Sequence, residues 1–468
     1  MATLARKLTT TPAGNLYRSF SSRAHKEMAR PVRGMKDRFG DDIRRFQWIN
    51  EKGARLASLY GFDQITTPIL EHSNVFERTL GEDSDVVGKE LYTFVDKGGD
   101  SLTLRPEGTA GITRSLISNN LCQELPRRFY YFGPMFRHER PQKGRLRQFE
   151  QFGVEVYGES HPASDVETIE LASTFLKSLG LESAALEINS LGDDASRQNY
   201  RNALRDYLTT YSSGLSQDSL RRLSINPLRI LDSKEPQDIA ILGNCPVLSD
   251  YLSEFSRQRF AFITEALSSM NIPFTVNPRL VRGLDYYQDT VFEFKVSSTV
   301  LGTQQGTVLA GGRYDGLVEK MGGPSGVSSI GWAAGLERLS MLLNEHDVPS
   351  LARPVAVIGV ADPETASADN AVALSTTLYS HVMAISSSMR QQGIRVEVMY
   401  PTSTAGSKNQ LKKQLSKATK INASHAVMVG SDEIKMGTSW VRCKDLDTAE
   451  QKLCLIDNVI EDLQSLRK

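Results

Sequence analysis

Apolar residues recur at helical spacing between Asp41 and Tyr60, and this pattern predicts an amphipathic helix that Gly61 ends. Two short apolar runs follow at 65–68 and 102–104, and each predicts a strand. Proline has no backbone N–H to pair, so the first of these strands is expected to end at its proline.

Two aromatic-rich runs, 129–132 and 149–156, flank a charged segment from His138 to Arg147. Apolar runs on either side of a polar segment predict a β-hairpin, here with a long basic tip.

The pattern changes between about 193 and 272, where Leu, Arg, Ser and Asp recur at helical spacing without strong strand signals. This segment predicts an inserted helical module. Strands resume at Phe274, with further strands expected at 290–296 and 308–310 and a helix from about Gly335.

Strands and helices alternate beyond a linker at 349–354. The expected strands are 355–360, 396–400 and 426–429, and the expected helices are 371–392 and 408–420. Alternation of this kind predicts a small α/β domain with a largely parallel sheet over 354–468.

Composition narrows the class of protein. A chain of 468 residues is long enough for two or three domains, and 55 basic residues balance 55 acidic ones. A nucleic-acid partner would therefore be held by local basic patches.

No run of about 18 apolar residues exists, so no membrane helix is expected. The four cysteines form no C-x-x-C pair and the histidines lack ligand spacing near them, so we expect neither a metal site nor disulfides.

The first 30 residues form a segment of their own. They are basic, rich in Ser and Thr, and contain Glu27 as their one acidic residue. This composition is typical of an organellar transit peptide, with a disordered basic tail as the alternative. We expect a mitochondrial location, with a plastid or a shorter cytosolic product starting at Met28 left open.

Arginines are dense between Phe136 and Phe149, and aromatic strands frame them. Planar guanidinium groups suit bidentate phosphate contacts, and an aromatic face suits a purine ring. A solvated hairpin tip is the alternative.

Two further strings combine glycine with charge. Leu280–Tyr287 places Arg282 beside two tyrosines, and a paired arginine at an aromatic strand end is its structural alternative. The segments 311–317 and 331–339 contain glycines that allow a backbone to approach a ligand closely, and the second ends in Glu337–Arg338 at a predicted helix start.

These strings resemble the motifs of class II aminoacyl-tRNA synthetases. Phe136–Phe149 is similar to motif 2, 331–339 to motif 3 and, more loosely, Tyr60–Pro68 to motif 1. With Thr103–Thr109 and Leu280–Tyr287 added, the chain resembles the histidyl-tRNA synthetase family from the end of the leader onward. The resemblance implies an α+β class II catalytic domain over 31–348, with an antiparallel sheet flanked by helices, followed by a carboxyl-terminal α/β anticodon-binding domain.

The resemblance also implies roles for the charged residues. Arg137 would grip the α-phosphate of ATP, Phe149 would pack on adenine, and Arg145 and Arg338 would reach the outer phosphates. Arg282 would lie between the histidine carboxylate and the α-phosphate. Arg137 and Arg282 are therefore the expected catalytic residues.

A histidine pocket is implied in the same way. Glu155 and Tyr287, with Tyr286 beside it, would hold the imidazole nitrogens. The α-amino group would contact Glu107, Thr109 and Gln151.

The implied reaction consumes ATP with Mg²⁺, forms histidyl-adenylate from L-histidine, and charges tRNA(His). Arg140 and Gln142 would meet the acceptor end of the tRNA, and motif 1 implies a homodimer. Five lysines between Lys408 and Lys420 are candidates for tRNA phosphate contacts, or form a solvated helix face.

Four residues depart from the family pattern: Glu150, Leu146 and the pair Gln288–Asp289. They put loop contacts and tRNA fit in doubt more than chemistry. The motif 2 loop is bacterial in style, which together with the leader implies an organellar enzyme. The alternative function is a non-catalytic paralogue that acts as a regulatory or tRNA-sensing subunit; a prolyl or threonyl specificity is disfavoured by Leu280–Tyr287.

Overall fold

The structure is a computed structural model that describes residues 29–80, 86–301, 306–360, 371–400, 410–437 and 439–465. The predicted leader up to Met28 and the lysine at 408 lie outside the described residues. Two compact units divide between Val348 and Pro349. No helix in the described ranges is both long and apolar enough to span a membrane.

The first unit contains eleven described strands. They are β1 Asp63–Gln64, β2 Leu70–His72, β3 Tyr92–Val95, β4 Ser101–Leu104, β5 Arg127–Phe136, β6 Gln148–Tyr157, β7 Ala185–Ser190, β8 Phe274–Val276, β9 Gln288–Lys295, β10 Thr307–Arg313 and β11 Ser329–Gly335. Eight of them form one sheet in the order β1-β5-β6-β11-β10-β9-β7-β8, and β2-β4-β3 form a small second sheet. All neighbours in the large sheet are antiparallel except β1 with β5 and β7 with β8.

Helices cover both faces of the large sheet. They are α1 Asp41–Leu59, α2 Asn74–Leu80, α3 Thr109–Ser118, α4 Ala163–Ser178, α5 Asp194–Thr210, α6 Gln217–Ile225, α7 Pro236–Leu242, α8 Glu254–Ser269, α9 Leu317–Lys320 and α10 Leu336–Leu342. Short 3-10 helices lie at Leu121–Glu124, Ser212–Gly214, Pro227–Asp232, Leu248–Tyr251 and Glu345–Asp347, and a π turn lies at Val86–Glu90.

One face of the sheet forms the main apolar core. Phe152, Phe175 and Trp332 stack there with ring centroids 5.4 to 6.0 Å apart. Helices α1, α4, α8 and α10 contribute the remaining apolar side chains. Because side chains alternate along a strand, the residues between Phe152, Val154 and Val156 on β6 point to the opposite face. That opposite face contains the candidate site.

The second unit is a five-stranded sheet with four described helices. Its strands are β12 Val355–Gly359, β13 Val396–Met399, β14 His425–Val429, β15 Trp440–Asp445 and β16 Gln451–Leu455, and its helices are α11 Ala371–Gln391, α12 Gln410–Lys420, α13 Ser431–Met436 and α14 Ile456–Ser465. The strand order is β13-β12-β14-β15-β16.

Most predicted elements are confirmed, including the hairpin, the helical module and the helix at 41–60. Two predictions were wrong. The strand expected at 65–68 is absent from its range, and pairing instead involves Asp63–Gln64 before it and Leu70–His72 after it. The carboxyl-terminal sheet is parallel only for β13-β12-β14, because β15 and β16 form an antiparallel hairpin. Polar residues such as Arg442 and Lys452 obscure the apolar pattern of that hairpin.

Candidate active site

Strand β6 presents Phe149, Gln151 and Glu155 on one face, since these residues are separated by even numbers of positions. The alternation of side chains along β6 is therefore enough to place these three candidate side chains on the same face of the sheet. Its register is continuous from Arg127 opposite Tyr157 to Phe136 opposite Gln148.

A cleft of about 930 Å³ opens on this face of the sheet. Six of the predicted residues line it: Arg137, Arg145, Phe149, Gln151, Arg282 and Arg338. They come from the hairpin, the segment before β9 and the start of α10. The structure thus brings together all the residues that were assigned to ATP from the sequence.

Arg137 is held in place at the cleft. Its Nε donates to the carbonyl oxygen of Pro106 at 2.9 Å, and its guanidinium lies 5.2 Å from the centre of the Phe149 ring. A guanidinium next to an aromatic face matches the charge and the flat surface that a purine nucleotide requires.

Arg282 also lines the cleft. It forms an ion pair with Glu293 and lies 5.7 Å from the centre of the Tyr287 ring. Burial disfavours its charge, but the nearby Glu293 outweighs burial and raises the pKa of Arg282. Its Nε is buried with no hydrogen-bond partner among the described residues. A donor in this state is suited to an anionic ligand.

Arg338 lies in the first turn of α10 and donates to the carbonyl oxygen of Thr307. Burial lowers its pKa, and the neighbouring Arg145 lowers it further. Two close cations repel one another, so an anion between them is stabilised.

Glu155 is the centre of a buried polar cluster behind the cleft and is 1% exposed. The hydroxyl of Thr109 donates to its Oε1 at 2.6 Å, and the hydroxyl of Tyr314 donates to its Oε2. Burial raises the pKa of Glu155 to about 8. Backbone of β11 approaches so closely that a Cβ on Gly331 would overlap with Glu155 Oε2.

Glu107 holds the start of α3 next to this cluster. Its two carboxylate oxygens accept from the backbone N–H groups of Thr109 at 2.7 Å and Ala110 at 2.8 Å. Burial raises the pKa of Glu107, although these hydrogen bonds act in the opposite direction. The assignment of Glu107 and Thr109 to an α-amino group stays a prediction.

Tyr286 and Tyr287 pack together beside the cluster, with ring centroids 4.6 Å apart. Both are buried, and both contact the ring of Tyr314. Neither lines the large cleft, and Glu155 accepts from Thr109 and Tyr314, with no hydrogen bond to Tyr287 among the described residues.

Sequence reasoning assigned no role to Tyr314, and the structure places it on Glu155. Its position in the glycine-rich string at 311–317 is the signal that could have found it. Gln151 lines the cleft, and its Oε1 is buried with no partner among the described residues, as is the hydroxyl of Tyr131 nearby. These atoms are free to bind a polar ligand.

The predicted RNA contacts lie elsewhere. Arg140 and Gln142 are exposed in the β5–β6 loop and do not line the cleft. Gln142 pairs with Arg145 through backbone hydrogen bonds of 3.1 and 2.9 Å, which tighten the loop tip. Glu150, which departs from the family pattern, lies 3.9 Å from Arg38 outside the cleft.

No group of three His, Cys, Asp or Glu side chains in the described ranges is arranged to hold a metal ion. All four cysteines are free.

An antiparallel sheet flanked by helices, a basic hairpin over an arginine-lined cleft, and a second α/β unit define a class II aminoacyl-tRNA synthetase. A family model described as histidyl-tRNA synthetase matches residues 34–339, and one described as an anticodon binding domain matches residues 355–466. The chain belongs to the histidyl-tRNA synthetase family, which confirms the resemblance and the predicted fold class.

Curated relatives agree with this assignment. Proteins named histidine–tRNA ligase from Gluconobacter oxydans and Rhodospirillum rubrum are 46% and 47% identical to the chain, and each alignment covers 90% of this chain and 95% of the relative. The structure is similar to a crystal structure titled apo S. aureus histidyl-tRNA synthetase, with a TM-score of 0.72, 30% identity, and coverage of 93% of this chain and 99% of that one. A Nostoc sp. PCC 7120 histidyl-tRNA synthetase at 20% identity and a TM-score of 0.61, covering 94% of this chain and all of that one, shares the fold.

Proposed function

We propose that the protein is a histidine–tRNA ligase that activates L-histidine with ATP and transfers the histidyl group to the 3′ end of tRNA(His). The observation that carries this proposal is the buried Glu155 beside an arginine-lined cleft. The names of the curated relatives support the same activity.

The carboxylate of histidine would attack the α-phosphorus of ATP, and the bond from that phosphorus to the leaving pyrophosphate would break. Two anions must approach one another for this step. Arg137 and Arg282 both line the cleft and would offset this repulsion. They would also stabilise the charge that develops in the transition state, since preorganised donors contribute most where charge develops.

Glu155 would select the substrate. An imidazole carries both a donor and an acceptor nitrogen, and a buried site that pairs with them rejects analogues that leave its own groups unpaired. Burial raises the pKa of Glu155 to about 8, and an imidazole N–H that donates to it would favour the ionised form. That form has about four acceptor sites and Glu155 already accepts two hydroxyl hydrogen bonds, so capacity remains for this N–H.

Mg²⁺ would be held largely by the ATP phosphates and water, as this ion prefers. Glu293 and Glu139 are carboxylates that line the cleft and fit that requirement. When bound, the ion would neutralise phosphate charge.

The RNA partner would contact both units. Arg140 and Gln142 are exposed at the hairpin tip, and Lys412, Lys413 and Lys420 are exposed on α12. These residues are positioned for phosphate contacts, whose strength falls with added salt.

We also propose a homodimer. Apolar side chains remain exposed near motif 1 and on the small sheet, including Leu59, Ile69, Phe94 and Val95. Burying these side chains against a second copy of the chain would remove apolar area from water, which favours association. Light scattering of the purified protein should give twice the chain mass, and a monomer at micromolar concentration would refute this.

The leader at 1–30 is proposed to direct the protein to mitochondria. Its basic, Ser- and Thr-rich composition supports this. The segment fused to a fluorescent protein should co-localise with a mitochondrial marker, whereas a fusion that starts at Met28 should remain in the cytosol. Cytosolic or plastid fluorescence of the longer fusion would refute a mitochondrial role.

The function is tested by ATP–pyrophosphate exchange with each of the twenty amino acids separately. Exchange with histidine alone is expected. Exchange with another amino acid would overturn the role of Glu155 as the selecting residue. No exchange from a folded protein would favour the non-catalytic paralogue.

A further inference from the structure

A second cavity of about 370 Å³ has Arg282 in its lining, as the large cleft does. The helical module forms one wall, through α5 and the segment after α6, and the string 281–287 forms the other. Arg229 and Arg282 line both this cavity and the large cleft, so the two spaces share a boundary. A ligand bound in the second cavity would therefore lie next to the cleft.

The lining of this cavity is strongly basic. Five cationic side chains face it and two carboxylates oppose them; the cations are Arg197, Arg201, Arg229, Arg282 and Lys320, and the carboxylates are Asp194 and Asp285. Such an excess of positive charge in a concave surface attracts anions.

Some of these cations have internal partners. Arg197 pairs with Asp194 and donates to the carbonyl oxygen of Tyr287 at 2.6 Å. Arg229 lies 3.7 Å from Asp285. These two arginines are thus fixed as the frame of the cavity.

Arg201 and Lys320 form no ion pair with any residue that the structure describes. The Nε of Arg201 is buried and lacks a hydrogen-bond partner there. Asn226, which is 7% exposed, donates to Asp285 at 3.1 Å, but its Oδ1 is also buried without a partner. Arg282 also lines the cavity, and its Nε is buried without a partner in the described ranges. The cavity thus holds two unmatched donors and one unmatched acceptor, each costly to bury alone.

We propose that this cavity binds the sugar–phosphate backbone of the 3′-terminal nucleotides of the RNA substrate, an inference that rests on the proposed function. A phosphate oxygen would accept from Arg201 Nε, and a ribose hydroxyl would donate to Asn226 Oδ1. A ribose phosphate supplies both groups together, whereas inorganic phosphate at neutral pH chiefly accepts hydrogen bonds. The phosphates of ATP have a separate set of cations in the large cleft, namely Arg137, Arg145 and Arg338.

The test compares Arg201→Ala with Arg205→Ala in the full chain. Arg205 lies one turn further along α5, is exposed, and does not line the cavity, so it is a matched control. We expect R201A to raise the KM for a tRNA(His) transcript about tenfold, as expected for the loss of a charge-assisted contact, and R205A to leave it within about twofold. R201A should also reduce the salt dependence of RNA binding more than R205A does.

Two further measurements locate the effect. Histidine-dependent ATP–pyrophosphate exchange without RNA should be equal in both variants. Fluorescence anisotropy should show that removing the last three nucleotides of the transcript weakens wild-type binding but adds little to the effect of R201A, because both changes remove the same contact.

Slower exchange in R201A without RNA would assign the cavity to ATP or pyrophosphate and overturn the proposal. Equal KM values for R201A and R205A, with equal melting temperatures, would also overturn it. The anisotropy measurement of RNA binding does not depend on catalysis. If the wild-type protein fails to activate histidine yet R201A weakens binding only of the untrimmed transcript, the proposed function fails and the cavity assignment stands.

Discussion

Thr109 donates a hydrogen bond of 2.6 Å to Oε1 of Glu155, although 46 positions separate the two residues. Thr109 starts α3 and Glu155 lies on β6, so this contact joins a helix terminus to the central sheet. Tyr314 donates to the other oxygen of the same carboxyl group. Both oxygens are thereby oriented before any ligand arrives, which is the preorganisation that a selective pocket requires.

Substituting Glu155→Gln should remove a pH-dependent component of stability. The pKa of Glu155 is raised from 4.5 to about 8 in the folded protein, so the folded state retains a proton that the unfolded state has lost between these values. This contribution to the free energy of unfolding is fully present below pH 4.5 and is lost as pH rises to about 8. Between these pH values the free energy of unfolding of the wild-type protein should therefore fall by a few kcal/mol, and that of E155Q should not show this fall.

Denaturant unfolding at pH 5 and pH 9 measures this difference. The comparison with E155Q isolates Glu155 from other groups that titrate, such as Glu337, whose pKa burial raises to about 7. Parallel pH profiles for the two proteins would contradict the prediction. E155Q should also lose histidine-dependent exchange.

Tyr314→Phe should raise the KM for histidine roughly fivefold to tenfold with a smaller change in kcat, because Glu155 loses one of its two orienting hydrogen bonds. Tyr200→Phe is the matched control. Tyr200 is also buried, but its hydroxyl donates to the carbonyl oxygen of Pro246 in the helical module. The Tyr200→Phe substitution should lower the free energy of unfolding by about 1 kcal/mol and leave the KM for histidine unchanged. An equal KM effect from both variants would show that Tyr314 acts through stability alone.

Arg282→Ala should lower kcat/KM for exchange by about 10² to 10³, since a fixed cation is removed from the site of developing charge. Arg279→Ala in the same segment is the control, because Arg279 is exposed and does not line the cleft. Circular dichroism and the melting temperature establish that R282A is folded. Near-normal exchange by folded R282A would remove Arg282 from the catalytic residues.

Gly331→Ala should lower the free energy of unfolding more than any other glycine-to-alanine substitution on β11. The added Cβ would overlap with Glu155 Oε2 and with the carbonyl oxygen of Val154, and backbone on the neighbouring strand has little room to move. We expect the free energy of unfolding to fall by about 3 kcal/mol or more. Gly316→Ala is the control, because its Cβ would meet nothing within 4 Å and its φ is −79°. A G331A protein as stable and as active as G316A would refute the close approach.

Local patterns predicted the parts of the fold that depend on neighbouring residues. The hairpin from Arg127 to Tyr157 follows from two apolar runs around a charged tip, and the helical module from its spacing. The hairpin of β15 and β16 was missed because its strands are partly polar and carry no clean alternation. These two segments form strands because they pair with their neighbours in the sheet, which the local pattern of residues does not reveal.

The sequence by itself determined the residue types of the site and, through the two-residue repeat of a strand, which residues of β6 share a face. Family motifs supplied candidate roles for Arg137, Arg282 and Arg338. Only the tertiary structure decided that Tyr314 contacts Glu155 across 159 positions, and that Glu155 lies deep enough for its pKa to rise to about 8. Burial and hydrogen-bond partners depend on distances in space, and no spacing along the chain encodes them.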